Sequence, residues 1–144
     1  MPELTESIYI NRSPEDVHRF IIEPANTMLW QSNLMEFQLL DDEPRKGSHL
    51  HGVSKVAGRR IEWEMEYAEI DIGHRTLLRT TNAPLDSTIE ETFEVSGSGT
   101  KFTYHQTTEP FHGLFGKLAD SLVIRLYQRD VRSNLQKLKV LLEA

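Results

Sequence analysis

Residues 61–67, Ile-Glu-Trp-Glu-Met-Glu-Tyr, alternate without a break: Ile61, Trp63, Met65 and Tyr67 share one parity, Glu62, Glu64 and Glu66 the other. Successive side chains of a strand point to opposite faces, so the segment predicts a strand with one apolar face and one carboxylate face. The same period of two runs through Leu4, Glu6, Ile8 and Ile10 near the start. It returns in segments 33–42, 48–56, 60–72, 75–82, 87–95 and 100–109. The stretches between them (Glu-Pro-Arg-Lys-Gly, Ala-Gly, Gly-His, Ala-Pro-Leu-Asp and Ser-Gly-Ser-Gly) are turn-forming and short enough to demand antiparallel neighbours.

Three segments follow helical spacing instead. Ser13 can cap a helix with Pro14 at its first position and Asp16 completing a capping box, and Val17, Phe20 and Ile21 recur on one side. Pro24 disfavours helical geometry at Glu23, so a second short helix over Ala25–Trp30 follows at an angle. After Pro110 and Gly113 the chain is expected to turn helical to its end, with Val131, Leu135, Leu138 and Leu142 on one face. The predicted order is strand, two short helices, six strands and a long helix, in one domain over 1–144. A single sheet must cover its apolar face, and the last helix is the large element able to do so.

Composition narrows the function classes. With 144 residues, 38% apolar and 26% charged, the chain has a globular composition, and no run approaches the roughly 20 apolar residues of a membrane span. The start lacks the basic and apolar regions of a signal peptide and cysteine is absent, so a cytoplasmic protein without disulfides is expected. A net charge of −6 offers no general attraction to phosphate backbones, and nucleic acid is not an expected partner. There is no Gly-rich phosphate loop, G-x-S-x-G, H-E-x-x-H or cysteine nucleophile. His49 and His51 share a strand face, but no third or fourth metal ligand can be placed beside them, so no metal and no cofactor is expected. Glu62, Glu64 and Glu66 read as a solvent face.

Several stretches together carry a family resemblance: 10–21 (INRSPEDVHRFI), 23–31 (EPANTMLWQ), the hairpin of GSHLHGV and GRRIEWEMEY, 93–104 (FEVSGSGTKFTY) and the final RSNLQKLKVLLEA. They resemble the polyketide cyclase/dehydrase-like (SRPBCC) branch of the START and birch-pollen-allergen superfamily over nearly the whole chain. The sequence departs from the family's habit at Glu23, where an aspartate is usual, and at His18, where a tryptophan or phenylalanine is usual. The resemblance implies an α+β helix-grip fold: a curved seven-stranded antiparallel sheet wrapped around a long C-terminal helix. It also implies a cavity between them that holds lipids, polyketides or aromatics, in some members as enzymes.

Parity places candidate residues in such a cavity. If the Val-Ala-Gly-Arg turn is even, Leu50, Gly52, Ser54 and Val56 face inward with Ile61, Trp63, Met65 and Tyr67, and the small Gly52 and Ser54 leave room. An odd turn would put His51, Val53 and Lys55 inside instead. Ile89, Glu91, Phe93 and Val95 share a face that matches Phe102, Tyr104 and Gln106, which sets Glu91 as an acid on an apolar face. Such an acid must be hydrogen-bonded, paired or protonated; a salt bridge to Arg79 is one reading and a ligand-orienting or acid/base role the other. Ser54, Tyr67, Thr80 and Gln106 are candidate polar contacts, and Met28, Leu29 and Trp30 are expected to cover one end.

On the last helix Ile124 and Tyr127 face inward, with Asp120 a candidate at the cavity mouth. Phe111, Phe115, Leu118, Leu122 and Leu126 form a row nearly opposite, so either the helix bends or restarts near Gly116 or the row faces another body, such as the second subunit of a homodimer. Three functions remain: binding of a small hydrophobic ligand, a cyclase or dehydratase using Glu91, or a protein-interaction module acting through Phe115, Leu118 and Leu122.

Overall fold

Each alternating segment is a strand in the computed structural model, which describes residues 1–144. In chain order the elements are β1 Glu3–Ile10, α1 Pro14–Ile22, α2 Pro24–Trp30, β2 Leu34–Leu39, β3 His49–Val56, β4 Arg59–Asp71, β5 Arg75–Asn82, β6 Ser87–Ser96, β7 Gly99–Thr108 and α3 Asp120–Glu143. The strands form one seven-stranded sheet in the order β1-β7-β6-β5-β4-β3-β2, antiparallel throughout. With α3 filling the curled sheet, this is the helix-grip fold.

Local chemistry explains the boundaries. The Asp16 N–H donates to Ser13 Oγ at 3.2 Å, and the Ala25 N–H to the Glu23 carboxylate at 3.4 Å, so the two short helices are capped and proline-led. The β3–β4 hairpin turns on Ala57 and Gly58, both left-handed at φ 49° and 83°, the conformation that keeps a two-residue turn in step with the twist of its strands. That even turn sets Gly52 opposite Trp63 and Leu50 opposite Met65. Register shifts between Glu64 and Met65 and between Tyr67 and Glu69 bend the long β4 and help curl the sheet.

The long helix does not run on from Gly113 but starts at Asp120, in keeping with the restart near Gly116 that the Phe111 and Phe115 row allows as one alternative. Residues 109–119 are not helical, with turns over 112–117: His112, Gly113 and Gly116 have positive φ, which breaks helical hydrogen bonding before Asp120. Once formed, α3 divides into two halves. Its C-terminal half buries Val131, Leu135 and Leu138 against Leu4, Ile10, Val17, Ile21, Trp30, Phe93, Phe102 and Tyr104 in a filled core. Buried Asn134 fastens it to the α2–β2 connection, accepting from the Ser32 N–H and hydroxyl at 3.1 and 3.0 Å and donating to Asn33 Oδ1 at 2.9 Å. Its N-terminal half instead meets a second, smaller cluster of Phe111, Phe115 and Val123. No helix is long and apolar enough to cross a membrane.

Candidate functional site

Between the filled core and the smaller cluster lies a cavity with about 170 Å³ open to water centres, roughly ten times what one water needs. β4 supplies Ile61, Trp63, Met65 and Tyr67 to its wall, and β3 supplies Leu50, Ser54 and Val56. Thr80 of β5, Glu91 of β6, and Tyr104 and Gln106 of β7 complete the sheet side; Ile124 and Tyr127 of α3 close the other. Those of β3, β4, β6 and β7 are residues whose parity predicted an inward position, and Ile124 and Tyr127 come from the helical row expected to face inward.

The volume comes from elsewhere than expected. A Cβ at Gly52 would lie 2.2 Å from Trp63 Cζ2, so the space beside that glycine is taken by the indole. The indole N–H donates to Ser54 Oγ at 2.9 Å, which satisfies both polar groups. Trp63 is thereby held flat against β3 as wall, and the open space lies over it.

Glu91 stands at the polar end. It is 5% exposed, and neither a cation nor a hydrogen bond offsets its burial, which pushes its pKa up to about 7. Arg79 does not reach it: on β5 it alternates with Leu78 and Thr80, so it points to the outer face and bonds Glu66 at 3.0 Å. The expected salt bridge is therefore absent. Burial, reinforced by the neighbouring Glu91 charge, raises the Tyr67 and Tyr104 hydroxyls above their ordinary range. Tyr104 and Tyr127 both donate to Gln106 Oε1, at 2.8 and 3.0 Å, with their hydroxyl oxygens 3.3 Å apart. With that oxygen occupied, Gln106 has its amide N–H groups to offer a ligand. Thr80 Oγ1 accepts from the Ser87 N–H at 3.1 Å and donates to Asp86 at 3.3 Å, a strand-end role.

Five of the expected residues lie elsewhere. Trp30 is buried in the filled core, its indole N–H without a partner, because α2 turns Thr27 toward the cavity in its place. Met28 and Leu29 are 46% and 50% exposed and cover nothing. Phe93 stacks on His18 at 4.0 Å and packs on Phe102, one strand pair beyond the cavity. Asp120 is exposed at the start of α3, where it accepts from the Phe111 N–H at 3.3 Å. The interaction face is likewise split: Phe115 is buried in the cavity wall, whereas Leu118 and Leu122 stay 40% and 38% exposed.

Sequence reasoning missed the wall that the turns build. Phe111, Phe115 and Val123 close the cavity together with Val56, Ile61 and Leu85 from two hairpin ends. Gln31 and Asn33 from the α2–β2 connection add polar edges. Phe111 and Phe115 among the glycines at 111–116 were the available signal: their row already called for a bend or restart near Gly116 as one alternative, but not for a cavity wall. On the outer face, His51 bonds Glu62 at 3.0 Å and His49 lies 3.9 Å from Glu66, so the two imidazoles serve different carboxylates.

The model of a family described as polyketide cyclase / dehydrase and lipid transport matches residues 1–143. Among solved structures, the protein TTHA0849 from Thermus thermophilus superposes with a TM-score of 0.80 at 23% identity, covering 96% of this chain and 95% of that one. Ara h 8.0201, which is Bet v 1-like, gives 0.72 at 10% identity over 99% and 97%. DynU16, a protein in the dynemicin biosynthetic locus, gives 0.69 at 13% identity, covering 99% of this chain and 47% of that one. At these identities the likeness shows the shared fold. No curated protein matches the sequence.

Proposed function

We propose, from the premise that the chain belongs to the polyketide cyclase/dehydrase and lipid transport family, that it binds a small apolar molecule in the cavity between the sheet and the N-terminal half of α3. The observation that carries this reading is the cavity wall: aromatic and aliphatic side chains broken by Glu91 and by the hydroxyls and amides of Tyr67, Tyr104, Gln106 and Tyr127. Apolar walls supply affinity, and a few convergent polar groups fix orientation. Incubating the purified protein with cell extract and identifying retained small molecules by mass spectrometry tests it. The wild type is expected to retain an apolar compound, and Leu78→Trp, which fills the cavity from β5, is expected to lose it. Equal recovery from both proteins would place the compound outside the cavity and overturn the reading.

A second reading has its own observation. An unpaired carboxyl with a pKa of about 7 is matched to proton transfer near neutrality, and it has the Tyr67 hydroxyl close by. In a cyclase or dehydratase of a polyketide or aromatic substrate, Glu91 would move the proton while Tyr67 or the Gln106 amide polarised a carbonyl. Glu91→Gln would then abolish turnover while the protein still took up ligand; unchanged turnover would remove Glu91 from that role.

A further inference from the structure

The cavity wall holds one carboxylate and no cation: none of its lining residues is Lys, Arg or His. The basic side chains of the neighbouring strand are committed to the outer face, Arg75 to Glu69 and Glu90 and Arg79 to Glu66. Every element packed around Glu91 presents a neutral group to it. These are Tyr67 from β4, Thr76 from β5, Tyr104 from β7 and Tyr127 from α3. The one imidazole on that side, His18 of α1, is neutral; its Nδ1 accepts from the Gly73 N–H at 2.9 Å and its Nε2 donates to Thr76 Oγ1 at 2.6 Å.

This arrangement discriminates by charge. A ligand carboxylate, phosphate or sulfate brought to the polar end would leave water for a site with no donor cation and a carboxyl opposite it, and both groups would then be desolvated without compensation. A protonated amine meets the reverse situation. It gives Glu91 the partner the protein withholds, in a charge-assisted hydrogen bond, and Trp63, Tyr67, Tyr104 and Tyr127 line the same space. The net charge of −6 favours the approach of cations as well.

We infer that the cavity selects an apolar molecule whose buried end is a protonated amine, and rejects those ending in an acid group. The inference rests on the ligand-binding reading above and adds the ligand's chemical class. Three probes of one shape test it: 1-naphthylmethylamine, 1-naphthylmethanol and 1-naphthoic acid, titrated into the full chain by isothermal calorimetry at pH 7. The amine is expected to bind at least about tenfold more tightly than the acid, the scale of a hydrogen bond to a charged group. Titration in two buffers of different ionisation heat is expected to show net proton release on amine binding, from the fraction of Glu91 that is protonated, and none with the alcohol. In Glu91→Gln the amine-to-acid preference is expected to collapse to within about threefold on the same scale. If that variant fails to fold, the ranking of the probes in the wild type decides: an amine bound no more tightly than the alcohol of the same shape overturns the inference. Acid binding as tight as amine binding overturns the inference and leaves apolar ligand binding standing, whereas failure of all three probes to bind overturns both.

Discussion

Glu91 is the residue where burial and parity meet. Its pKa in the fold is about 7 against an ordinary 4.5, so between those values the folded chain holds a proton that the unfolded chain has released. Stability contributed by this group therefore falls as pH rises through that window, by up to about 3 kcal/mol, and the loss is complete above the folded pKa. Glu91→Gln has no such proton. Urea unfolding at pH 5 and pH 8 is expected to show the variant gaining on the wild type at the higher pH; parallel changes in the two proteins would mean that Glu91 is solvated or paired in solution. That Glu91 lies inside was readable from Ile89 and Phe93 on either side of it. That Arg79 lies outside was readable by the same alternation, because Leu78 and Thr80 flank it, and the expected ion pair failed for ignoring it. Gly52 shows the opposite limit: period two placed it inward but carried no information on whether the Trp63 ring would lie over it.

Elements obeyed periodicity wherever one face had a partner, and departed from it where backbone conformation intervened. The strands and the two short helices follow from alternation, caps and prolines. At residues 109–119 the apolar spacing could say only that a helix bends or restarts near Gly116 or that the row faces another body; the positive φ at His112, Gly113 and Gly116 that decides between them is a property of the backbone. The helix α1 shows how a single side chain couples elements. His18, buried on α1, is hydrogen-bonded to the β4–β5 turn at Gly73 and to Thr76 of β5, and it stacks on Phe93 of β6. Burial lowers its pKa to about 4 from 6.5, so the unfolded chain takes up a proton below pH 6.5 that the fold refuses until about 4. The stability His18 contributes is thus present above 6.5 and lost as pH falls toward 4, the reverse of Glu91. Hydrogen exchange is expected to show α1 and the Gly73 amide losing protection between pH 6.5 and 4. In His18→Phe, which keeps the stack but cannot ionise, protection is expected to be lower at neutral pH and nearly flat over that range; an unaltered pH dependence in this variant would locate the effect elsewhere.

The protein as a whole is built as a filled core joined through a cavity to a smaller apolar cluster, and that division assigns different tasks to the two halves of α3. The filled half carries stability: Leu138 has no exposure, and truncation of such a residue to alanine costs about 2–5 kcal/mol. The other half packs its Val123 on Phe111 and Phe115, which close the cavity from turns rather than from a strand ladder. Turn backbone has few cooperative hydrogen bonds, so it opens at lower free energy than β6 and β7, whose ladder runs from Ser87–Thr108 to Ser96–Gly99. If a ligand is bound there, the 111–116 turns are the expected route of entry, since opening the sheet would cost the core. Amides of that segment are expected to exchange much faster than those of β6 in the free protein. Saturating 1-naphthylmethanol, at about a hundred times its dissociation constant, is expected to slow them by up to about a hundredfold while raising global stability by about 2.7 kcal/mol. Stabilisation without slowed exchange at 111–116 would show that the ligand enters past another part of the wall, with the Gln31 and Asn33 edge beside α2 as the remaining polar boundary. Protection at both places would instead mean that the turns and the α2–β2 connection open together, which the bond from Asn134 of α3 to Ser32 and Asn33 is positioned to transmit.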